Sequence, residues 1–336
     1  MPELRSEASS SEAARLTRGY VIAVVAAVVL SSTGIFIRYL TQTYHMPALV
    51  LAMWRDLFAS FTLLAALSIL RPAWLKVERR HWPYLLIYGF VLACFNSLWT
   101  LSVSLNGAAV STVLAYCSAG FTALLGWWFL KERLDWGKIL AVILSLAGCA
   151  LISGALDPAA WRSNLLGILT GILSGLFYAI YSLMGRSAVQ RGIVPWTSLF
   201  YIFSLAAIFL LLFNLLWGGV LPGTAVRPAD LLWLGKALPG WIILFVLAAG
   251  PTVAGYGLYN VSMVYLPSSV ANLIVTLEPA FTAVVAYFLL GERFTTMQVG
   301  GSLLILAGVV FLRVYEGWLA GRPGQVISEV EPEPGS

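Results

Sequence analysis

The stretch of sequence that decides the fold occurs twice in the chain, 160 residues apart. Residues 110–151 read VSTVLAYCSAGFTALLGWWFLKERLDWGKILAVILSLAGCAL, and residues 270–311 read VANLIVTLEPAFTAVVAYFLLGERFTTMQVGGSLLILAGVVF. When residues 108–151 are paired with 268–311 without gaps, 11 of 44 pairs are identical. A bias toward Ala and Leu accounts for roughly half of that number. We therefore predict an internal repeat.

The composition of the chain predicts that its solvent is lipid. Of 336 residues, 60% are hydrophobic and 10% are charged, whereas soluble domains carry about 25% charged residues. An all-α integral membrane fold follows, because helices satisfy their own backbone in hydrocarbon. The net charge of +5 does not predict nucleic-acid binding, since the charges lie in short segments between apolar runs. Cys94, Cys117 and Cys149 show no ligand spacing and are interpreted as small buried hydrophobic residues.

Apolar runs of about 20 residues predict ten transmembrane helices, here called spans 1 to 10. Their predicted bounds are 19–40, 47–70, 83–104, 108–130, 137–155, 164–187, 195–219, 239–264, 267–290 and 297–318. Prolines stand at or next to five of the predicted starts, where they cost no helical hydrogen bond. These are Pro47, Pro83, Pro195, Pro239 and Pro267.

The distribution of Lys and Arg predicts that both termini are cytoplasmic. With the amino terminus placed there, 14 basic residues lie in cytoplasmic segments and five on the outer side. Spans 1–5 form one predicted domain, 19–155, and spans 6–10 a second, 164–318. Tails of 1–18 and 319–336 flank them, the latter predicted to be disordered. Because five is odd, the second domain enters the membrane from the opposite side, so the two repeats are predicted to be inverted.

Three motifs in the second domain carry a family resemblance: the Leu-Glu-Pro-Ala-Phe run at 277–281, Leu290-Gly291-Glu292-Arg293, and Leu306-Ala307-Gly308. With them the chain resembles the ten-helix EamA-type exporters of the drug/metabolite transporter superfamily. The first domain departs from the pattern, because Cys117-Ser118-Ala119-Gly120-Phe121 lacks both the acid and the proline.

The chain is most similar to bacterial exporters of aromatic and other neutral amino acids. The resemblance implies a multi-pass protein of the bacterial cytoplasmic membrane, without enzyme activity, that exports small metabolites by alternating access. It implies a small-molecule substrate and the lipid bilayer as partners. A monomer suffices for such a function, and the sequence leaves the oligomeric state open.

Spans 3 and 8 carry many polar and aromatic side chains. These are Tyr88, Asn96 and Trp99 in span 3, with Tyr256, Tyr259 and Asn260 in span 8. The residues of span 3 recur at about one helical turn and share a face. We predict that both sets line a central cavity, where rings contact an apolar side chain and amides bind a zwitterion. Trp54, Tyr178 and Tyr181 are further candidates. The alternative is ordinary interhelical packing.

Three ionisable residues fall inside predicted spans and are functional candidates for that reason: Arg55, Asp56 and Glu278. Glu278 is predicted to carry a coupling proton or bind a substrate ammonium; the alternative is a neutral or capped carboxyl that helps its helix bend. Asp56 is a second candidate for coupling or gating. Arg55 and Asp56 point about 100° apart on a helix, so we do not expect them to pair with each other. Arg55 is expected to meet a substrate carboxylate or a carboxylate elsewhere in the bundle.

Span 8 also contains a predicted hinge. Gly250 and Pro251, followed by Gly255 and Gly257, predict a kink, because proline removes a helical donor and glycine permits bending. The alternative for the glycines is close helix packing.

Two other function classes remain as alternatives. A nucleotide-sugar or phosphorylated-metabolite exchanger needs clustered basic residues within the membrane, and only Arg55 is available. An integral-membrane enzyme acting on lipid phosphates needs a catalytic constellation, yet His45 and His81 lie in loops predicted on opposite faces. We expect no cofactor and no metal. The sequence does not determine the substrate or the energy source.

Overall fold

The structure, a computed structural model, describes residues 2–116, 118–131, 134–152, 165–278, 280–281 and 296–320. The regular elements in these ranges are helical. The helices are α1 (Pro2–Leu30), α2 (Thr33–Thr43), α3 (Ala48–Leu70), α4 (Trp82–Tyr116), α5 (Ser118–Leu130), α6 (Trp136–Ile152), α7 (Leu165–Gln190), α8 (Pro195–Leu216), α9 (Leu238–Leu247), α10 (Val253–Tyr265), α11 (Ser268–Val275) and α12 (Thr296–Ala320). A π-helical turn, Ala248–Thr252, joins α9 to α10, and short 3₁₀ turns lie at Pro72–Leu75, Arg79–His81 and Pro228–Leu232.

Six helical segments of the described chain are long and apolar enough to cross a membrane, and they coincide with predicted spans 1, 2, 3, 6, 7 and 8. They are Ala13–Thr43, Ala48–Leu70, Arg79–Leu105, Leu165–Gln190, Pro195–Leu216 and Leu238–Tyr265. Shorter apolar helices correspond to spans 4, 5 and 10: Leu114–Leu130, Trp136–Gly148 and Val299–Leu312. Span 9 is described as α11 and the helical residues 278, 280 and 281. The rest of span 9, Pro279, the motif at 290–293 and residues 321–336 lie outside the described ranges.

Large apolar side chains cover the outside of the bundle. Trp128, Ile69 and Leu165 are each more than 70% exposed. The fully buried side chains include Tyr88, Tyr181 and Tyr259. This arrangement suits a hydrocarbon solvent, in which apolar groups face outward and polar groups find partners inside.

The predicted break between spans 3 and 4 falls within α4, which is helical from Trp82 to Tyr116. The hydroxyl oxygens of Ser102 and Ser111 nevertheless lie 2.9 Å apart. Nine residues along a straight helix would separate them by about 13.5 Å. The chain therefore bends sharply between these serines.

Predicted span 1 is divided, because α1 ends at Leu30 and α2 begins at Thr33. The Ser31 hydroxyl donates to the Val28 carbonyl at 2.6 Å, and the Ser32 hydroxyl donates to the Val29 carbonyl at 2.9 Å. Such bonds compete with the helical ladder and favour a turn. The interruption places Thr33 at the start of a new helix.

Helices α6 and α12 pack with backbone contact through two glycines of the repeated Leu-Ala-Gly motif. A methyl group on Gly148 would lie 2.6 Å from the carbonyl oxygen of Gly301. A methyl group on Gly308 would lie 3.1 Å from the carbonyl oxygen of Ala141. Gly301 is the repeat equivalent of Ala141, 160 residues later, just as Gly308 is that of Gly148. The two contacts are thus the same pair with the partners exchanged.

Candidate functional site

A cavity lies between the two halves of the chain, away from the ends of the spans. The volume open to the centres of water-sized molecules is about 50 Å³. The first half contributes six lining residues and the second half three. They are Leu30, Thr33, Phe95, Trp99, Ala115 and Tyr116, with Tyr178, Tyr256 and Glu278. Of the sequence candidates, Trp99, Tyr178, Tyr256 and Glu278 are therefore brought together at this cavity.

Glu278 is the one carboxyl group among these lining residues, none of which is Lys, Arg or His. The hydroxyl of Tyr116 donates a hydrogen bond to the Glu278 carboxylate. Tyr178 and Tyr256 lie within electrostatic range of the same group. A carboxylate has about four lone-pair positions, more than the bond from Tyr116 occupies. The lining can therefore accept hydrogen bonds from a ligand.

Aromatic rings form most of the cavity wall. The Phe95 ring stacks on Tyr178 with centroids 4.9 Å apart, and Trp99 lies 6.3 Å from Phe95. Tyr178 continues the stack toward Tyr259, at 5.8 Å, and Tyr181, at 5.9 Å. Stacked and offset rings of this kind are stiff and present large apolar surfaces. The wall suits the apolar part of a small ligand.

Thr33, Tyr116 and Phe95 are lining residues that the sequence reasoning missed. Thr33 is 4% exposed, and its hydroxyl has no hydrogen-bond partner among the described residues. The polar run from Ser31 to Gly34 inside an apolar span was the available signal for it. Phe95 lies one turn before Trp99 on the same helix, and that spacing was its signal. For Tyr116 the only signal was a phenol inside predicted span 4.

Tyr88, Tyr181, Tyr259 and Asn260 do not line the cavity but form a buried hydrogen-bonded layer beside it. Tyr88 Oη donates to Asn260 Oδ1 at 3.3 Å, and Asn260 Nδ2 donates to Tyr181 Oη at 2.6 Å. The hydroxyls of Tyr259 and Ser182 lie 2.6 Å apart. Asn260 thus joins a helix of the first half, α4, to α7 of the second half.

This layer extends to the beginning of the repeated stretch. Asn272 Nδ2 donates to Ser182 Oγ at 3.1 Å, and the Ser118 hydroxyl donates to Asn272 Oδ1 at 3.2 Å. The layer therefore links α5, α7 and α11 as well, and it crosses from one half of the chain to the other twice.

Arg55 and Asp56 form an ion pair with each other, which corrects the expectation from their helical angles. Arg55 Nε lies 3.2 Å from Asp56 Oδ1, and both residues are buried. The long Arg side chain reaches around the helix to its neighbour, a route that the angle between Cβ positions does not reveal. Asn96 Nδ2 donates to Asp56 Oδ2 at 2.6 Å. Neither Arg55, Asp56 nor Asn96 is among the lining residues, and Arg55 Nη2 has no partner among the described residues.

Trp54 lies outside the cavity wall. Its indole Nε1 donates to the Leu231 carbonyl at 2.6 Å, and its ring meets Trp241 edge-on with centroids 4.8 Å apart. Trp54 therefore holds α3 against the 3₁₀ turn before α9 and against α9 itself.

The predicted hinge coincides with the π-helical turn. Pro251 lies inside this turn, and a methyl group on Gly250 would meet nothing within 4 Å. Gly255 and Gly257 instead face close neighbours, because a methyl group on Gly255 would lie 2.6 Å from Leu30 and one on Gly257 would overlap the Trp196 ring. π turns occur often at functional positions in helices. A bend here during function is still a prediction.

The described residues offer few groups that could bind a metal or act as a reactive thiol. Among the described residues no group of three or more His, Cys, Asp and Glu is placed to hold a metal. Cys94 is a half-buried free thiol. Cys117 and the side chain of Cys149 lie outside the described parts of the structure.

A family model and several known proteins match this chain. The model of the EamA-like transporter family matches residues 17–154 and 165–314. The uncharacterized transporter YwfM of Bacillus subtilis is 27% identical over 267 residues, which cover 79% of this chain and 83% of YwfM. The uncharacterized inner membrane transporter YicL of Salmonella typhimurium is 25% identical over 309 residues, covering 88% of this chain and 95% of YicL. A solved crystal structure covers 91% of this chain and 99% of its own, with a TM-score of 0.69 and 15% identity, which shows a likeness of fold.

Proposed function

Because the chain belongs to the EamA-like transporter family, it is a multi-pass membrane transporter, and we propose that it exports small neutral metabolites, including aromatic and other neutral amino acids. Export proceeds by alternating access around the cavity between the two halves. The observation that carries the proposal is this cavity itself, with both halves supplying its aromatic wall and Glu278 facing it. Sites between transporter repeats near the membrane midplane are where substrates bind.

The proposed architecture is ten spans in two inverted five-helix repeats, 19–155 and 164–318, with both termini in the cytoplasm. The exchanged glycine contacts of α6 and α12 support it, since a twofold relation between the repeats produces such a pair. A second support is the direction of the first helix of each half. Arg15, just before span 1, donates to the Val264 carbonyl at the end of α10, and Arg186 near the end of α7 donates to the Met263 carbonyl of that same helix. Span 1 thus begins at the end of the bundle where α7 finishes.

Alternating access requires contacts that close the cavity at each end, and contacts between the halves stand at both ends. At the first, here called the Tyr84 end, Tyr84 bonds to the Met184 carbonyl and the Arg191 guanidinium lies 4.6 Å from the Tyr84 ring centroid. At the other, the Trp233 end, Trp233 Nε1 donates to the Tyr44 carbonyl at 2.8 Å. We propose that one set opens while the other stays closed.

The proposed location is the bacterial cytoplasmic membrane, with the Tyr84 end facing the cytoplasm. The excess of Lys and Arg in the segments at this end supports the orientation. The description of the similar YicL as an inner membrane transporter supports the location.

A flux assay tests the proposal. Purified protein in liposomes is given labelled phenylalanine, leucine and glutamate, with and without a pH gradient. We expect saturable flux and counterflow of the neutral amino acids, because a carrier exchanges its substrate through one site. Trp99→Ala and Tyr259→Ala should each lower that flux at least severalfold. Trp128→Ala should not, because Trp128 is 72% exposed on the outside of the bundle. Unchanged flux at normal expression in both Trp99→Ala, which alters the cavity wall, and Tyr259→Ala, which alters the layer beside it, would contradict the proposed site.

A further inference from the structure

We propose that the cavity selects its substrate by a protonated amine. It takes organic ammonium compounds that carry an adjacent apolar group, and a substrate carboxylate is not required. The inference rests on the proposed function, because the cavity is taken to be the transport site. It goes further by naming which end of a neutral amino acid is recognised and by adding amines without a carboxylate to the substrates.

The charge of the wall favours a cation. Glu278 is the one carboxyl group among the nine lining residues, and none of the nine is basic. The nearby charge of Arg55 is offset by Asp56 at 3.2 Å, and Arg55 does not line the cavity. In surroundings of low dielectric an anion without a cationic partner is strongly disfavoured. The same cost falls on the Glu278 carboxylate, and an ammonium group relieves it by pairing with Glu278, whereas a substrate carboxylate finds no counter-ion in this wall.

The rings around Glu278 suit the same ligand. Phe95, Trp99, Tyr116, Tyr178 and Tyr256 all line the cavity. Aromatic ring faces attract ammonium ions, and the attraction grows when the cation is removed from water. Tyr116 holds the Glu278 carboxylate by a hydrogen bond and so orients it toward a fixed position. Charge-assisted hydrogen bonds from an ammonium to such a carboxylate are among the stronger ones in proteins.

Thr33 supplies independent evidence for a polar ligand. Thr33 lines the cavity and is 4% exposed, and its hydroxyl lacks a partner among the described residues. An unpartnered hydroxyl in apolar surroundings is costly. A hydroxyl oxygen can accept the N–H of an amine. Thr33 and Glu278 together therefore offer acceptors from opposite halves of the chain to one ammonium group.

The available space matches an ammonium head. By this measure of volume one water needs about 10–15 Å³, so 50 Å³ holds roughly three to five water-sized groups. That is room for an amine and its first carbons. A larger apolar group must widen the cavity, as a change of conformation during alternating access allows.

Binding to the wild-type chain in detergent, measured by isothermal titration calorimetry, tests the inference without any variant. Two matched series are used: phenylalanine, phenethylamine and 3-phenylpropionate, and leucine, isoamylamine and 4-methylpentanoate. We expect each amine to bind at least as tightly as its amino acid, and each acid at least tenfold more weakly. An acid that binds as well as its amine overturns the inference, and so does an amine that does not bind. If the amino acids still show saturable flux in either case, the proposed function stands while this inference fails.

Variants then test which residues bind the ammonium group. Glu278→Gln should weaken phenethylamine binding at least tenfold, and Trp99→Leu roughly threefold to thirtyfold. The matched controls are Glu78→Gln, an exposed carboxyl, and Trp128→Leu, an exposed ring, which should leave binding unchanged. Equal binding in Glu278→Gln and the wild type overturns the inference. If Glu278→Gln does not give a monodisperse protein, Tyr116→Phe is tested instead. We expect Tyr116→Phe to bind phenethylamine more weakly, and unchanged binding would overturn the inference.

Discussion

At the scale of single residues, the molecule is governed by the cost of burying polar groups in a bundle surrounded by lipid. Asn260 is partnered by Tyr88 and Tyr181, and Glu278 by Tyr116. The buried charge of Arg55 is partnered by its neighbour Asp56, which Asn96 holds in turn. Each of these groups has a partner because an isolated one would cost several kcal/mol. The hydroxyls of Thr33, Thr100, Thr122 and Ser145 lack a partner among the described residues, and of these four residues Thr33 lines the cavity, where a ligand can supply the partner.

The Arg55–Asp56 pair yields a stability prediction. Asp56→Asn removes the negative charge and leaves Arg55 buried without a counter-ion, which costs about 3–5 kcal/mol of the free energy of unfolding. The double variant Arg55→Gln, Asp56→Asn should recover much of that loss, because no buried charge remains. Unfolding by sodium dodecyl sulfate in mixed micelles measures the difference.

The control for this prediction is the exposed pair of Arg80 and Glu78, whose nitrogen and oxygen lie 2.7 Å apart. Glu78→Gln should change stability little, since surface ion pairs contribute little. If Asp56→Asn proves as harmless as Glu78→Gln, the buried pair does not hold the charge as described.

At the scale of helices, close backbone approach decides which elements can pack. The glycines of the repeated Leu-Ala-Gly motif allow the backbones of α6 and α12 to approach closely. A carbonyl oxygen of each helix occupies the space that a side chain at the glycine of the other helix would fill. Small residues at helix contacts are the usual means of association in membranes, where apolar burial gives no driving force between helices. The repeated glycines therefore have a packing role, which the sequence alone does not show.

Substitution of this glycine gives the second stability prediction. Gly148→Ala places a methyl group 2.6 Å from the Gly301 carbonyl and 3.0 Å from the Ile305 nitrogen, so the two helices must separate. We expect a loss of about 1–3 kcal/mol, the range for overpacked cores. Thermal unfolding in detergent measures it. Gly120→Ala is the matched control, because its methyl group would meet only Val142 at 3.9 Å. Equal melting temperatures for the two variants would contradict the close contact.

At the scale of the whole molecule, contacts between the halves stand at both ends of the bundle, with the cavity between them. The Tyr84 end is joined by Tyr84 and Met184, and the Trp233 end by Trp233 and Tyr44. Because each bond is local, one end can be weakened while the other is kept. The balance between the two ends should therefore shift with single substitutions.

Cysteine labelling measures this balance. A reporter Ala115→Cys in the cavity wall is made in a background in which Cys94, Cys117 and Cys149 are replaced by alanine. Tyr84→Ala should raise labelling by an impermeant maleimide at least severalfold in inside-out vesicles, because it removes the bond to Met184 and the Arg191 contact.

The mirror variant and the control sharpen this test. Trp233→Ala should raise labelling in right-side-out vesicles instead. The control is Tyr39→Ala. Among the ring contacts of the described residues, the Tyr39 ring contacts only Tyr44, which belongs to the same half, so this variant should leave labelling unchanged in both kinds of vesicle. Increased labelling from the same side in both variants would contradict the assignment of two opposed ends.

What could be predicted from the sequence differs among these scales. Trp99, Tyr178, Tyr256 and Glu278 were predicted because polar or aromatic residues in apolar spans are conspicuous, and the structure places them at one cavity. Thr33 and Tyr116 were missed, because each matters only through what it faces. The expected separation of Arg55 and Asp56 was wrong, since it considered the direction of the Cβ atoms and ignored the reach of the guanidinium.

The sequence by itself determined that the chain is helical, that lipid is its solvent and where the six longest apolar spans of the described residues run, because these depend on local hydrophobicity over about 20 residues. Only the tertiary structure decided which side chains meet across helices: Tyr116 with Glu278, Asn260 with Tyr88, and Gly148 with Gly301. Such pairs are far apart in the chain, and the depth and rotation of each packed helix select them. No local pattern encodes that choice.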